Sequence, residues 1–85
     1  GSAPLPGGYE AVAFGEGGLF IRKDGSYVSE LPAAVGGRSP LVASSVESEG
    51  GRLTVIDRSA REKVFVDASD PLLPVIVSRE KFDEK

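Results

Sequence analysis

Apolar side chains recur at every second position along most of this chain, in short runs broken by Gly-, Pro- and Asp-containing turns. That period of two belongs to strands, whose successive side chains point to opposite faces. Residues 9–14 set Tyr9, Ala11 and Ala13 against Glu10, Val12 and Phe14, and the larger Val12 and Phe14 are expected to turn inward. Gly15-Glu16-Gly17-Gly18 reads as a hairpin loop into a strand over 19–23. Asp24-Gly25 is the sharpest turn signal, since a type I′ turn needs positive φ at both central residues. A returning strand over 26–31 follows.

The second half repeats the pattern. A strand is expected over 41–48, bulged where the period slips at Ser44-Ser45, and Glu49-Gly50-Gly51 turns the chain. Residues 52–58 carry Leu53 and Val55 on one face, 58–62 form a polar connection, and 62–67 place Val64 and Val66 on one side with Phe65 on the other. Asp70-Pro71 marks a turn that the Asp side chain can close. The last strand, 74–78, begins at Pro74, where a missing N–H removes no ladder bond.

Strands at this spacing predict an all-β, mainly antiparallel fold, a small barrel or sandwich of about six or seven strands. Nothing has the length of a crossover helix. The alternative is α+β with short helices at 32–36 and 79–84, the first opened by Pro32 and stopped by Gly36-Gly37. Gly1-Ser2 resembles a protease-cleavage scar, and the Pro- and Gly-rich residues 3–8 read as a linker or extended lead-in. A single β domain is expected over 9–78, with a charged tail over 79–85, frayed or forming a helical turn anchored by Phe82. The lack of Met fits a piece cut from a longer polypeptide.

Composition narrows the chemistry. The core must come from 10 Val, 7 Leu, 3 Ile, 4 Phe and 2 Tyr with some alanines. Asn, Gln, His, Cys, Met and Trp are absent. No side chain therefore titrates near neutrality unless perturbed, and no thiol is available as nucleophile or soft metal ligand. The same absences suit a thermostable composition, a GC-rich gene or a designed sequence. Ten basic residues lie scattered among thirteen acids for a net charge of −3. That distribution gives no clustered basic footprint for nucleic acid. No apolar run spans a bilayer, so no membrane contact is expected; no cofactor is expected either.

Several residues are candidates for function. Asp57, Asp67 and Asp70 lie at strand ends that the 52–67 hairpin brings together on this reading, and they form the weak alternative for a calcium or acid–base site. Ser78-Arg79-Glu80-Lys81 matches S-x-x-K, whose chemistry needs a helix. Phe20, Arg22, Tyr27 and Phe65 can be drawn as a stacking face, against the expectation that they pack in the core. Arg38 in the 36–40 loop, with Arg58 and Arg61 on another connection, suits an acidic partner. Val75 and Val77 sit in a short aliphatic strand flanked by Pro74 and charges, the pattern of a sheet edge that is either protected or offered to a neighbour. Together these favour a non-catalytic protein-interaction or assembly module that pairs with a protein partner or itself. A carbohydrate- or calcium-binding domain and an enzyme accessory domain are the alternatives.

Overall fold

The computed structural model describes residues 1–15, 17–31 and 42–82. The described chain is all-β: β1 (Ser2–Leu5), a 3-10 turn (Pro6–Gly8), β2 (Tyr9–Ala13), β3 (Leu19–Lys23), β4 (Ser26–Leu31), β5 (Ser45–Glu49), β6 (Arg52–Asp57), β7 (Glu62–Asp67) and β8 (Val75–Lys81). These form two four-stranded antiparallel sheets, ordered β1-β2-β3-β4 and β5-β6-β7-β8. Every neighbour in each sheet is also the next strand in sequence, so each sheet is a meander of hairpins.

The turn chemistry accounts for the meanders. Asp24 and Gly25 have φ of 53° and 80°, and Lys23 faces Ser26 across them. The β5–β6 turn is Gly50-Gly51, closed by the Glu49–Arg52 pair. At β6–β7, the buried Asp57 organises residues 58–61. Its carboxylate Oδ1 accepts bonds from Ser59 Oγ at 2.7 Å and from the Ala60 amide at 3.0 Å. An Asp in the first position of such a turn supplies this acceptor.

One core serves both sheets. Ala3, Leu5, Ala11, Leu19 and Ile21 come from the first sheet and Val46, Leu53, Val55, Val64 and Val66 from the second, with Ala43 and Ala68 from connections. The alternation expected in β6 and β7 is present, with Leu53, Val55, Val64 and Val66 all buried. β5 lies against β1 and β2, and on the opposite flank Ser29 Oγ in β4 donates to the Pro71 carbonyl at 2.6 Å.

Several expectations are corrected. Among the described residues there are eight strands, not six or seven, and no closed barrel. The added strand is β1, in the segment read as a linker: Ser2 to Leu5 pair with Val12 to Tyr9, and Ala3 and Leu5 are buried. Pro4 is tolerated because β1 is an edge strand, and Pro6 because it opens the 3-10 turn, where its missing N–H removes no bond. At the other end β8 continues through Lys81, so 79–81 is strand where a helical or frayed tail was expected. The alternative helix over 32–36 lies outside the described residues. β2 faces the opposite way from the expectation: Ala11 is buried and Tyr9 and Ala13 pack on the core, while Val12 and Phe14 share the outer face with Glu10. Small side chains at this face let β1, β2 and β5 approach closely.

Candidate interaction site

β8 is seven residues long and forms one edge of the second sheet, with β7 its sole neighbour among the described strands. Phe65 pairs with Ser78 and Val66 with Ile76, which leaves Val77 as an extra residue in a bulge. Ile76 turns to the core, whereas Val75 and Val77 are 51% and 60% exposed. Leu72 and Leu73, in the connection from β7, are comparably exposed at 57% and 68%. A turn sets their backbone, with the Leu72 amide donating to Asp70 Oδ1 at 3.1 Å and the Leu73 amide to the Asp70 carbonyl at 2.9 Å. Four large aliphatic side chains thus stand in solvent along one flank. The second half of the strand is polar, with Arg79 Nη1 3.4 Å from Glu62 Oε1.

The outer face of the same sheet forms a groove beside this edge. Cross-strand pairing builds two rows, Glu49–Arg52–Asp67–Val75 and Glu47–Thr54–Phe65–Ser78. Side chains of directly opposed residues share a face. The groove encloses about 540 Å³ and is lined by residues of all four strands, among them Glu47, Arg52, Thr54, Phe65, Asp67 and Val77. Pockets that hold small molecules or side chains span roughly 300–1,000 Å³.

The aromatic residues do not pack in the centre of the core. Phe14, Phe20 and Tyr27 meet edge-to-face on the outer face of the first sheet, with ring centroids 5.2, 5.5 and 5.9 Å apart. Beside them Arg22 Nε donates to Glu10 Oε1 at 2.6 Å, and this bond lowers the Glu10 pKa and raises that of Arg22. Phe65 lies on the outer face of the other sheet, so the four residues Phe20, Arg22, Tyr27 and Phe65 do not form one stacking face. Sequence parity alone missed Phe14. The Arg22–Tyr27 pairing fixed by the Asp24-Gly25 turn is the signal that groups Phe20 with Tyr27.

The three candidate aspartates do not converge. Asp57 pairs with Glu62 and Asp67 with Arg52, at opposite ends of the same hairpin, roughly 16 Å apart at the rise of a strand. Each carboxylate serves its own turn. Burial raises the Asp57 pKa, but bonds from Ser59, Ala60 and the Val42 amide outweigh it and the net shift is downward. Asp67 Oδ1 accepts from Ser69 Oγ at 2.6 Å and from its amide at 3.0 Å, and its pKa is lowered by those bonds. Among the described residues no group of three acidic side chains is placed to hold a metal ion.

The remaining candidates are dispersed. Arg58 and Arg61 share the exposed β6–β7 turn, where Arg61 has φ of 55° and its carbonyl accepts from the Phe82 amide at 3.0 Å. Arg38 lies outside the described residues. Ser78 and Lys81 are on a strand, where a spacing of three does not set the two side chains one helical turn apart.

Comparison with protein-family models, curated proteins and solved structures gives no match. Among the described residues no helix is long and apolar enough to cross a membrane.

Proposed function

We propose that this chain is a non-catalytic interaction or assembly module that takes up a strand from a partner protein, or from a second copy of itself, along β8. One observation carries the reading: an edge strand with Val75 and Val77 in solvent, continued by exposed Leu72 and Leu73. An edge offers unpaired N–H and C=O groups as a template. Strand addition gains main-chain hydrogen bonds from that template and covers the side chains beside it. Fully burying a Val or Leu side chain contributes about 1.5–3 kcal/mol, and with these four half to two-thirds exposed an incoming strand gains part of that at each one it covers. Pro74 on one side and Arg79, Glu80 and Lys81 on the other limit the apolar run to a few residues. Such flanks restrain indiscriminate aggregation while leaving a short, specific pairing site.

The test is hydrodynamic and spectroscopic. Sedimentation equilibrium from micromolar to about millimolar chain, with amide shifts followed on adding capped six-residue valine/threonine strand peptides, reads pairing directly. Self-association or peptide-induced shifts concentrated in β8 support the reading, and Val75→Lys with Val77→Lys removes them without lowering the melting temperature. A chain that stays monomeric and shows no β8 shifts with any strand peptide refutes it.

A further inference from the structure

We infer that the partner at β8 is a second copy of this chain, seated across the flank where the edges of both sheets lie side by side. This rests on the reading of β8 as a pairing edge and names its partner. β4 ends the first sheet as β8 ends the second. The 2.6 Å bond from Ser29 Oγ to the Pro71 carbonyl ties β4 to the connection leading into β8, so both edges stand on one flank of the sandwich. The two edges are built alike. Ile21 pairs with Ser29 and Arg22 with Tyr27, which leaves Val28 as an extra residue in β4, as Val77 is in β8. Both valines are exposed. Apart from Phe14 and Tyr27 in the aromatic cluster, every exposed large apolar side chain among the described residues is on this flank: Val28, Leu72, Leu73, Val75 and Val77.

The opposite flank is blunted. β1 lies against β5 there. The Ala13 amide donates to the Gly1 carbonyl at 2.9 Å, so alternation turns the backbone of Ala3 and Leu5 to β2 and sets Pro4 on the free side, where it offers no N–H. The open flank keeps its donors. The Phe82 amide donates to the Arg61 carbonyl at 3.0 Å, so alternation leaves the N–H and C=O of Arg79 and Lys81 facing outward from β8. In the first sheet the Phe14 amide donates to the Gly18 carbonyl, so Leu19 and Ile21 turn to β4 and the backbone of Glu30 faces outward in the same way. Free edges of this kind accept another strand. Stacked sheets lie about 10 Å apart, so a lone extended peptide covers one edge and leaves the other. A second copy carries two edges at that same spacing. A two-fold axis between the copies sets two edges against two, the isologous arrangement of a closed dimer, and gathers the five aliphatic side chains of each copy into one contact.

Sedimentation equilibrium of the full chain from micromolar to about millimolar concentration, with amide shifts followed on dilution, tests the pairing. A dimer is expected, with shifts in both β4 and β8. Val28→Lys in one variant, and Val75→Lys with Val77→Lys in another, each weaken it by about tenfold or more, while both variants keep the melting temperature of the dilute, monomeric parent. A dimer weakened by the β8 substitutions alone, with no shifts in β4, overturns the two-edge contact and leaves β8 as a pairing edge. A dimer indifferent to the β8 substitutions overturns the inference, and so does a chain that stays monomeric. In either of those cases, capped valine/threonine strand peptides that shift β8 leave the edge reading standing, and peptides that shift nothing there overturn both.

Discussion

Gly15 and Ala43 exchange two backbone hydrogen bonds, each 2.8 Å long, that tie the end of β2 in one sheet to the lead-in of β5 in the other. The two meanders share no strand among the described residues, so this small ladder links them by backbone hydrogen bonds. Gly15 makes it with φ of 58°, and a Cβ built there meets nothing within 4 Å. Gly15→Ala therefore costs about 1–2 kcal/mol, from the left-handed backbone alone. Gly51 is the contrasting case. Its φ is ordinary, but a Cβ there falls 2.8 Å from the Ser69 Cα. Gly51→Ala forces the β5–β6 turn away from Ser69 and weakens the 2.7 Å bond from the Ala68 amide to the Gly51 carbonyl. The expected loss is about 2–3 kcal/mol. Urea unfolding of both variants checks the pair, with the midpoint falling further for Gly51→Ala at unchanged slope.

β1 is part of the domain that it precedes. Leu5 is buried against the core and faces Tyr9, and Ala3 faces the fully buried Ala11. Leu5→Ala should lose about 2–4 kcal/mol, a large share of the stability of a chain this size. Val75→Ala, on the exposed edge, should stay within about 0.5 kcal/mol of the parent. Thermal melts of the two variants decide the matter. Equal melting temperatures would return residues 1–5 to the role of a dispensable leader.

The contrast shows what was legible. Hairpins were written locally: Asp24-Gly25 and Gly50-Gly51 each fix a turn, and β6 and β7 alternate cleanly with Val55, Val64 and Val66 on the buried side. β1 was hidden because its prolines argue against a central strand and say nothing against an edge. The facing of β2 was hidden because both of its faces carry apolar residues. Size favoured Val12 and Phe14 for the interior, whereas close approach of the second sheet selected Ala11 and Ala13. The edge at Val75 and Val77 was readable from its flanking Pro74 and charges. The groove was not, because Glu47, Thr54, Phe65 and Ser78 become neighbours only through the registers of four strands.

Asp57 gives the acid limit of stability a residue to test. It is buried, and its folded pKa lies below the ordinary carboxyl value. A group lowered in this way contributes stability above its unfolded pKa of about 3.9 and loses it as pH falls through the folded value. Asp57→Asn keeps an oxygen for Ser59 and Ala60 but turns an NH2 toward the Val42 amide. It should cost about 1–2 kcal/mol at neutral pH, and Asp57→Ala about 3 kcal/mol. The decisive measurement is stability against pH. The gap between parent and Asp57→Asn should narrow below about pH 4, while the contribution of Asp67, also lowered, persists in both. A gap that is constant down to pH 2 would mean that the carboxylate charge is not what holds the turn.

The aromatic trio on the first sheet makes the last prediction. Phe14 is 46% exposed and Tyr27 54%, yet the three rings are held edge-to-face across the β2–β3–β4 surface. Such pairs contribute about 0.5–1.5 kcal/mol beyond the area they cover. Each ring touches both others, and Phe14 meets Phe20 at 5.2 Å and Tyr27 at 5.9 Å. It also follows β2 directly, next to Gly15, where its amide donates to the Gly18 carbonyl at 2.9 Å. Phe14→Leu keeps the apolar bulk and the backbone bond but deletes two ring contacts. It should lose about 1–2 kcal/mol and much of the near-ultraviolet circular dichroism, because the Tyr27 ring is then held by Phe20 alone within the cluster. Phe65→Leu, on the opposite sheet and outside the cluster, should leave that spectrum nearly unchanged. If both substitutions reduce the signal equally, the rings of the first sheet do not hold one another in place.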